Sequence, residues 1–252
     1  VLFKRFADID AMDLEVDSED VDEVVNCVRF LGPTFGGINL EDIKAPECFI
    51  IEQRLREVMD IPVFHDDQHG TAIVSLAGMI NAMHLTGRDI KDLKIVVNGA
   101  GAASIACIEL MKAMGLPHNQ AILCDSRGVI YQGRTQGMNP WKEQFAVDTP
   151  DRTIEDAIVD ADLFLGLSGP GVLNGAMVKT MARDPLILAM SNPIPEIMPE
   201  EARAARPDAI LRGVTIQPMI VPLDGARAVA FSELRVCLKP LIQLAAFVLS
   251  ME

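Results

Sequence analysis

Leu93-Lys94-Ile95-Val96-Val97-Asn98-Gly99-Ala100-Gly101-Ala102-Ala103-Ser104-Ile105-Ala106-Cys107 is the stretch whose reading decides the fold. It opens with a short apolar run rich in β-branched residues, the pattern of a buried parallel strand. A Gly-x-Gly turn follows. The apolar spacing from Ile105 to Met114 is that of a helix, and Gly115 is a natural stop for it. Strand, glycine turn and helix in this order make a phosphate site. The turn lets backbone N–H groups approach a pyrophosphate, and the helix N-terminus adds partial positive charge. The next apolar run, Ala121 to Cys124, ends in Asp125. That acid lies about 20 residues past the turn, where a carboxylate meets the ribose hydroxyls of a dinucleotide.

One position departs from the fingerprint. Ser104 stands where Gly or Ala is usual. A glycine turn alone is weak evidence; with strand, helix and distal acid around it, nucleotide binding is favoured over a plain βαβ unit with no ligand.

Outward from this unit, the pattern stays alternating. Lys4 to Val16 reads as extended. Ser18 reads as the N-cap of a helix running toward Leu31. Gly36 to Leu40 reads as a strand delivering Glu41 and Asp42, and a helix follows Pro46 to about Met59. Ile61 to Phe64 is a further strand, delivering His65-Asp66-Asp67-Gln68-His69-Gly70, with a helix over Thr71 to Leu85. Beyond the nucleotide unit, Gly128 to Trp141 reads as a loop and Ile154 to Ala161 as a helix. Leu163 to Leu167 and Leu186 to Met190 read as buried strands, ending in Ser168-Gly169-Pro170-Gly171 and in Ser191-Asn192-Pro193. Strands alternating with helices predict an α/β fold, a Rossmann-like doubly wound parallel sheet with ligands at the carboxyl ends of its strands.

The totals narrow the function. The formal net charge of −14 argues against a nucleic-acid partner, which needs a basic face. With 50% hydrophobic residues the chain is not disordered. Cys27, Cys48, Cys107, Cys124 and Cys237 form no Cys-x-x-Cys pair, which reads as reduced thiols in a cytoplasmic protein. No signal peptide is visible, and the run Leu241 to Leu249 is too short to span a bilayer, so no membrane partner is expected.

Two acidic pairs stand out, Glu41-Asp42 and Asp66-Asp67, each after a short apolar strand. Carboxylates converging from strand ends suit a hard cation, Mg²⁺ or Mn²⁺; equally, acids cap the helices that follow. His65 and His69 straddle a turn, lack the Glu of a His-Glu-x-x-His motif and are followed by Gly70, read here as a helix breaker, so a structural role is the better reading. No nucleophile elbow is present.

At these residues the chain resembles a known family. Phe35 to Ile43, Val63 to Ala72, Asn98 to Ala103, Val129 to Arg134 and Ser191 to Pro193 stand in the order found in malic enzymes, and the resemblance is greatest to the bacterial NADP-dependent type. It covers Val1 to about Ile210. It implies residues 1–66 as the end of the malic enzyme N-terminal α/β domain and 67–252 as the NAD(P)-binding Rossmann-like domain. It implies metal-dependent oxidative decarboxylation of (S)-malate to pyruvate and CO2 with reduction of NADP or NAD, a bound Mg²⁺ or Mn²⁺ acting as Lewis acid. By the same resemblance Glu41, Asp42 and Asp67 are metal ligands, and Asp66 is the acid beside them that tunes the catalytic base. Gly99, Ala100, Gly101, Ala102 and Ala103 hold the cofactor phosphates, Asp125 meets the ribose, and Asn192 lies near nicotinamide or substrate. The full-length protein is implied to be a homo-oligomer.

The resemblance breaks in places. The family's general acid, a Tyr, and its base, a Lys in a Gly-Lys context, are not in this sequence, and Tyr131 and Lys4 do not occupy their motif positions. Residues 211–252 do not match the family's Asn-rich continuation. Cofactor choice is open: Asp125 favours a free 2′-hydroxyl and hence NAD, whereas Arg127 could hold the 2′-phosphate of NADP. Two other readings stand beside the enzyme: a dinucleotide-binding fragment without turnover, and another NAD(P)-dependent dehydrogenase, such as one acting on amino acids.

Overall fold

The structure, a computed structural model, describes residues 2–213. The expectations for Cys237, for the apolar run 241–249 and for residues 214–252 of the tail read from 211 lie outside the described residues. The chain divides into two compact units, Val1–His65 and Asp66–Glu252.

The first unit contains α1 (Leu2–Ala7), α2 (Val21–Phe30), β1 (Ile38–Leu40), α3 (Glu47–Val58) and β2 (Val63–His65). The two strands pair in parallel, with Leu40 opposite His65. Val25 and Val28 of α2, Ile51 and Leu55 of α3, and Leu40 and Val63 of the strands form its core. Each such buried side chain contributes about 1.5–3 kcal/mol.

Two expectations for this unit are corrected. Lys4 to Val16 is not one extended segment: residues 2–7 are helical, and Lys4 reaches Asp8 (2.8 Å), an i,i+4 pair that a helical turn brings together, and Asp10 (2.9 Å). The N-cap of α2 is Asp20, not Ser18. Asp20 Oδ1 accepts the N–H groups of Asp22 (2.8 Å) and Glu23 (3.0 Å), while the Ser18 hydroxyl accepts the Asp20 N–H.

The second unit runs α4 (Thr71–Thr86), β3 (Ile95–Asn98), α5 (Ala102–Ala113), β4 (Ala121–Asp125), β5 (Gly128–Val129), α6 (Pro140–Glu143), α7 (Ile154–Ala157), β6 (Leu163–Gly166), α8 (Gly175–Thr180), β7 (Leu186–Ala189), α9 (Pro199–Ala205) and β8 (Ile210–Gly213). The six strands lie in the order β5-β4-β3-β6-β7-β8. All pairings are parallel except that of β5 with β4. Val96, Ile122, Phe164 and Ile187 pack with Ala157, Val178 and Ala202 of α7, α8 and α9. The residues alternating with them, such as Ile95, Val97, Leu163 and Leu165, are also buried and face the opposite side. The α/β doubly wound sheet read from the sequence is therefore present, and the strand order reverses at β3, between β4 and β6.

Local differences have local causes. Gly70 does not break the helix: it has φ −61° and ψ −48° and carries a π-turn, Asp66–Gly70, directly into α4. A Cβ there would collide with the Asp66 carboxyl group. The segment read as a loop contains β5 and α6. The predicted helix 154–161 ends at Ala157 and gives way to a turn over 158–160, in which Asp160 is left-handed (φ 56°). β8, absent from the sequence reading, closes the sheet through Ile210 and Leu211, opposite Leu186 and Ile187.

Candidate dinucleotide cleft

The strand-order reversal leaves a crevice at the carboxyl ends of β3, β4 and β6. A cleft of about 690 Å³ occupies it, lined among others by Asn98, Gly99, Ala100, Asp125, Arg127 and Ser168. Gly99 turns the chain out of β3 at φ 109°, a conformation that L side chains rarely adopt, and a Cβ on it would collide with the Leu167 carbonyl. Gly101 is the N-cap of α5 and offers no side chain to the first N–H groups of that helix, those of Ala102 and Ala103. The Ser104 hydroxyl is buried and has no hydrogen-bond partner among the described residues. A glycine cradle and uncapped helix N–H groups fit the phosphates of a dinucleotide.

The β4 side of the cleft carries basic side chains beside an acid. Asp125 closes β4, and both of its oxygens are engaged. Arg134 donates to Oδ1 (2.7 Å) and Oδ2 (2.8 Å), Lys142 to Oδ2 (2.8 Å), and the Arg127 N–H to Oδ1 (2.9 Å). Burial opposes ionisation of Asp125, but the hydrogen bonds from Lys142, Arg134 and the Arg127 N–H outweigh it and hold the carboxyl below its ordinary range. Arg134 also donates to the carbonyls of Gly128 (3.2 Å) and Val129 (2.9 Å), and its side chain is only 5% exposed. Lys142 and Arg127 line the cleft itself.

Asn192 is exposed, in the turn after β7, and its bond to Pro193 is cis. Glu41 and Asp42 follow β1 and are exposed; Glu41 Oε1 accepts from Asn39 Nδ2 at 2.7 Å, and Asp42 has φ 56°. Asp66 and Asp67 begin the second unit and are exposed, while His65 is buried at the end of β2. The acids are the right donors for a hard cation, but among the described residues no group of three or more His, Cys, Asp or Glu side chains is arranged to hold a metal ion.

Sequence reasoning missed Lys142, Arg134 as a partner of Asp125, and Glu196, whose buried carboxylate accepts the N–H groups of Ser168 and Ser191. Arg134 lay inside a quoted motif without a role. Gly166 within an otherwise apolar strand signalled a close approach but not which residue makes it.

Comparison with known proteins agrees with this geometry. A family model described as "Malic enzyme, NAD binding domain" matches residues 68–216, and one described as "Malic enzyme, N-terminal domain" matches residues 1–56. An NADP-dependent malic enzyme of Rhizobium meliloti is 67% identical over 211 residues, which are 84% of this chain and 28% of that protein. An NAD-dependent malic enzyme of the same organism is 54% identical over 211 residues, 84% of this chain and 27% of that protein. The crystal structure of an NAD-dependent malic enzyme from Thermotoga maritima superposes with a TM-score of 0.81 at 40% identity, covering 86% of this chain and 58% of that one. The chain thus spans little more than a quarter of the length of these two Rhizobium meliloti relatives.

Proposed function

Because the chain belongs to the malic enzyme family, we propose that its second unit binds NADP in the cleft at β3, β4 and β6, in a protein whose full length oxidatively decarboxylates (S)-malate to pyruvate and CO2. Membership of this family sets aside the amino-acid dehydrogenase reading. The chemistry supplied by a bound nicotinamide dinucleotide is hydride acceptance from the malate carbinol carbon.

The observation that carries the NADP reading is the occupied carboxyl group of Asp125. A ribose 2′-hydroxyl needs a free acceptor, and both oxygens of Asp125 already accept from Arg134, Lys142 and the Arg127 N–H. Two cationic side chains, Arg134 and Lys142, hold this one acid, and Lys142 and Arg127 line the cleft. That surplus suits a phosphate on the 2′-oxygen. Gly99, Ala100 and Gly101 bring backbone to the pyrophosphate, the N–H groups of Ala102 and Ala103 bind it, and Asn192 orients the nicotinamide or substrate end.

The assignment of Glu41, Asp42 and Asp67 as metal ligands, and of Asp66 as the acid beside them, rests on motif resemblance alone. The cytoplasm as location and homo-oligomerisation of the full-length protein are part of the same proposal. Among the described residues no helix is long and apolar enough to cross a membrane.

Malate oxidation needs a base at the hydroxyl, and protonation of enolpyruvate needs an acid. The family's Tyr and Lys are not among these residues, which favours a second reading for this chain taken alone: dinucleotide binding without turnover. Calorimetric titration of the 252-residue chain with NADP and NAD tests the proposal. Tighter binding of NADP by about tenfold is expected, with no malate-dependent NADPH formation until the upstream Tyr and Gly-Lys motifs are supplied. Tighter binding of NAD overturns the cofactor assignment.

A further inference from the structure

One buried acid ties three strand ends of the second unit together. Glu196 follows β7 and is fully buried. Its Oε1 accepts the Ser168 N–H (3.1 Å), in the loop after β6, and its Oε2 accepts the Ser191 N–H (3.1 Å), in the turn after β7. Its carbonyl accepts the Leu173 N–H at 3.2 Å. Gly166 provides the space, since a Cβ there would run into the Glu196 side chain. The link continues to β3, because the Ser168 hydroxyl accepts from Asn98 Nδ2. Ser168 and Asn98 both line the cleft, and the Ser191 N–H adjoins Asn192.

We infer that Glu196 is a positioning residue for the nicotinamide side of the cleft, holding the loop after β6 and the Ser191–Asn192 turn in the arrangement that receives it. The inference rests on the dinucleotide reading above. A dinucleotide straddles the point where strand order reverses. Asp125 and its cations mark the β4 side for the adenosine, which leaves the β6 and β7 side for the nicotinamide. Glu196 is buried beneath that side and acts through Ser168 and Ser191. Glutamine cannot replace it: one oxygen still accepts, but the amide N–H₂ then opposes a backbone N–H.

The test uses the 252-residue chain and two probes, NADPH and 2′,5′-ADP, the second of which fills only the adenosine side. Glu196→Gln should weaken NADPH binding about tenfold, leave 2′,5′-ADP within about twofold of wild type, and reduce the emission of bound nicotinamide. A residue that only stabilises the fold would lower the melting temperature and move both affinities together or neither, and either result overturns the inference. Glu196→Asp keeps both acceptors on a shorter arm. If the Gln variant does not fold, the Asp variant reads the same affinity ratio, and an unchanged ratio again overturns it. If the wild type binds neither probe, the dinucleotide reading fails and this inference with it. If the wild type binds both and the ratio does not move, only the role of Glu196 fails.

Discussion

At the carboxyl end of β4 a single acid, Asp125, is met by two side-chain cations and a backbone N–H. After β1 and after β2 stand four exposed acids, and among the described residues no three metal-type donors gather. Both regions announce themselves in sequence by acids at strand ends. They differ in what surrounds those acids. Arg134 and Lys142 reach Asp125 from 9 and 17 residues downstream, converting a lone carboxylate into a cationic corner. The acids show where chemistry can occur; their partners decide which chemistry it is.

The sharpest way to break this contrast is at a glycine. Gly99→Val should abolish dinucleotide binding, a loss of more than about 100-fold, since the side chain needs a left-handed backbone and collides with the Leu167 carbonyl. In the first unit, Gly37→Ala should leave binding unchanged, because its Cβ meets the Pro62 carbonyl at an ordinary 3.5 Å. Calorimetry on variants shown to be folded by circular dichroism checks both. Retained binding in Gly99→Val would remove the turn from the site.

Smaller effects separate the two cations. Lys142 lines the cleft, so Lys142→Ala should reduce the NADP-to-NAD affinity ratio about tenfold. Arg134 is buried and also holds the carbonyls of Gly128 and Val129, so Arg134→Ala should cost about 3 kcal/mol of stability. Chemical denaturation and titration of both cofactors read the two outcomes. A change in cofactor ratio without loss of stability in Arg134→Ala would reverse the roles.

Acid sharpens the same point. The carboxyl group of Asp125 is held below its ordinary value in the folded state, so its contribution is present above the unfolded-state value of about 4 and is lost as pH falls through the folded one. The difference in melting temperature between wild type and Asp125→Asn should therefore be constant from about pH 8 to pH 5 and shrink below about pH 4. A difference that grows on acidification would mean that the ion pairs do not stabilise the fold.

The sheet was legible because its signals are local. Buried runs such as Ile95 to Val97 and Leu163 to Leu165, with a glycine turn between strand and helix, need no distant partner to be read. The cleft was half legible. Gly99 to Ala103 and Asp125 follow from spacing, whereas Lys142 and Glu196 act on residues far away in sequence, and no periodicity reports which backbone they reach. The N-cap at Asp20 and the continuous helix through Gly70 were misread for a related reason. Neighbouring candidates, Ser18 against Asp20 or a glycine as breaker against a glycine as spacer, differ only in the contacts made after folding.

The smallest expected effect lies in the first comparison's other half. Exposed carboxylates that do not gather three donors should bind Mn²⁺ only in the millimolar range, as partial oxygen sites do. If Asp67 is a ligand, Asp67→Asn should weaken Mn²⁺ by about threefold, while NADP affinity stays within about twofold because the cleft at β3 and β4 does not include it. Asp66→Asn provides the control. If Asp66 serves the base rather than the metal, as motif resemblance implies, Mn²⁺ affinity should not move, since its carboxyl group lies against Gly70. Water-proton relaxation of Mn²⁺ titrated with each variant measures this directly. Equal affinity in wild type and Asp67→Asn would remove Asp67 from the ligand set. Micromolar binding by the wild-type chain would instead show that the acids gather around the ion when it is supplied, and the difference between the two regions would reduce to one site built before its ligand and one built by it.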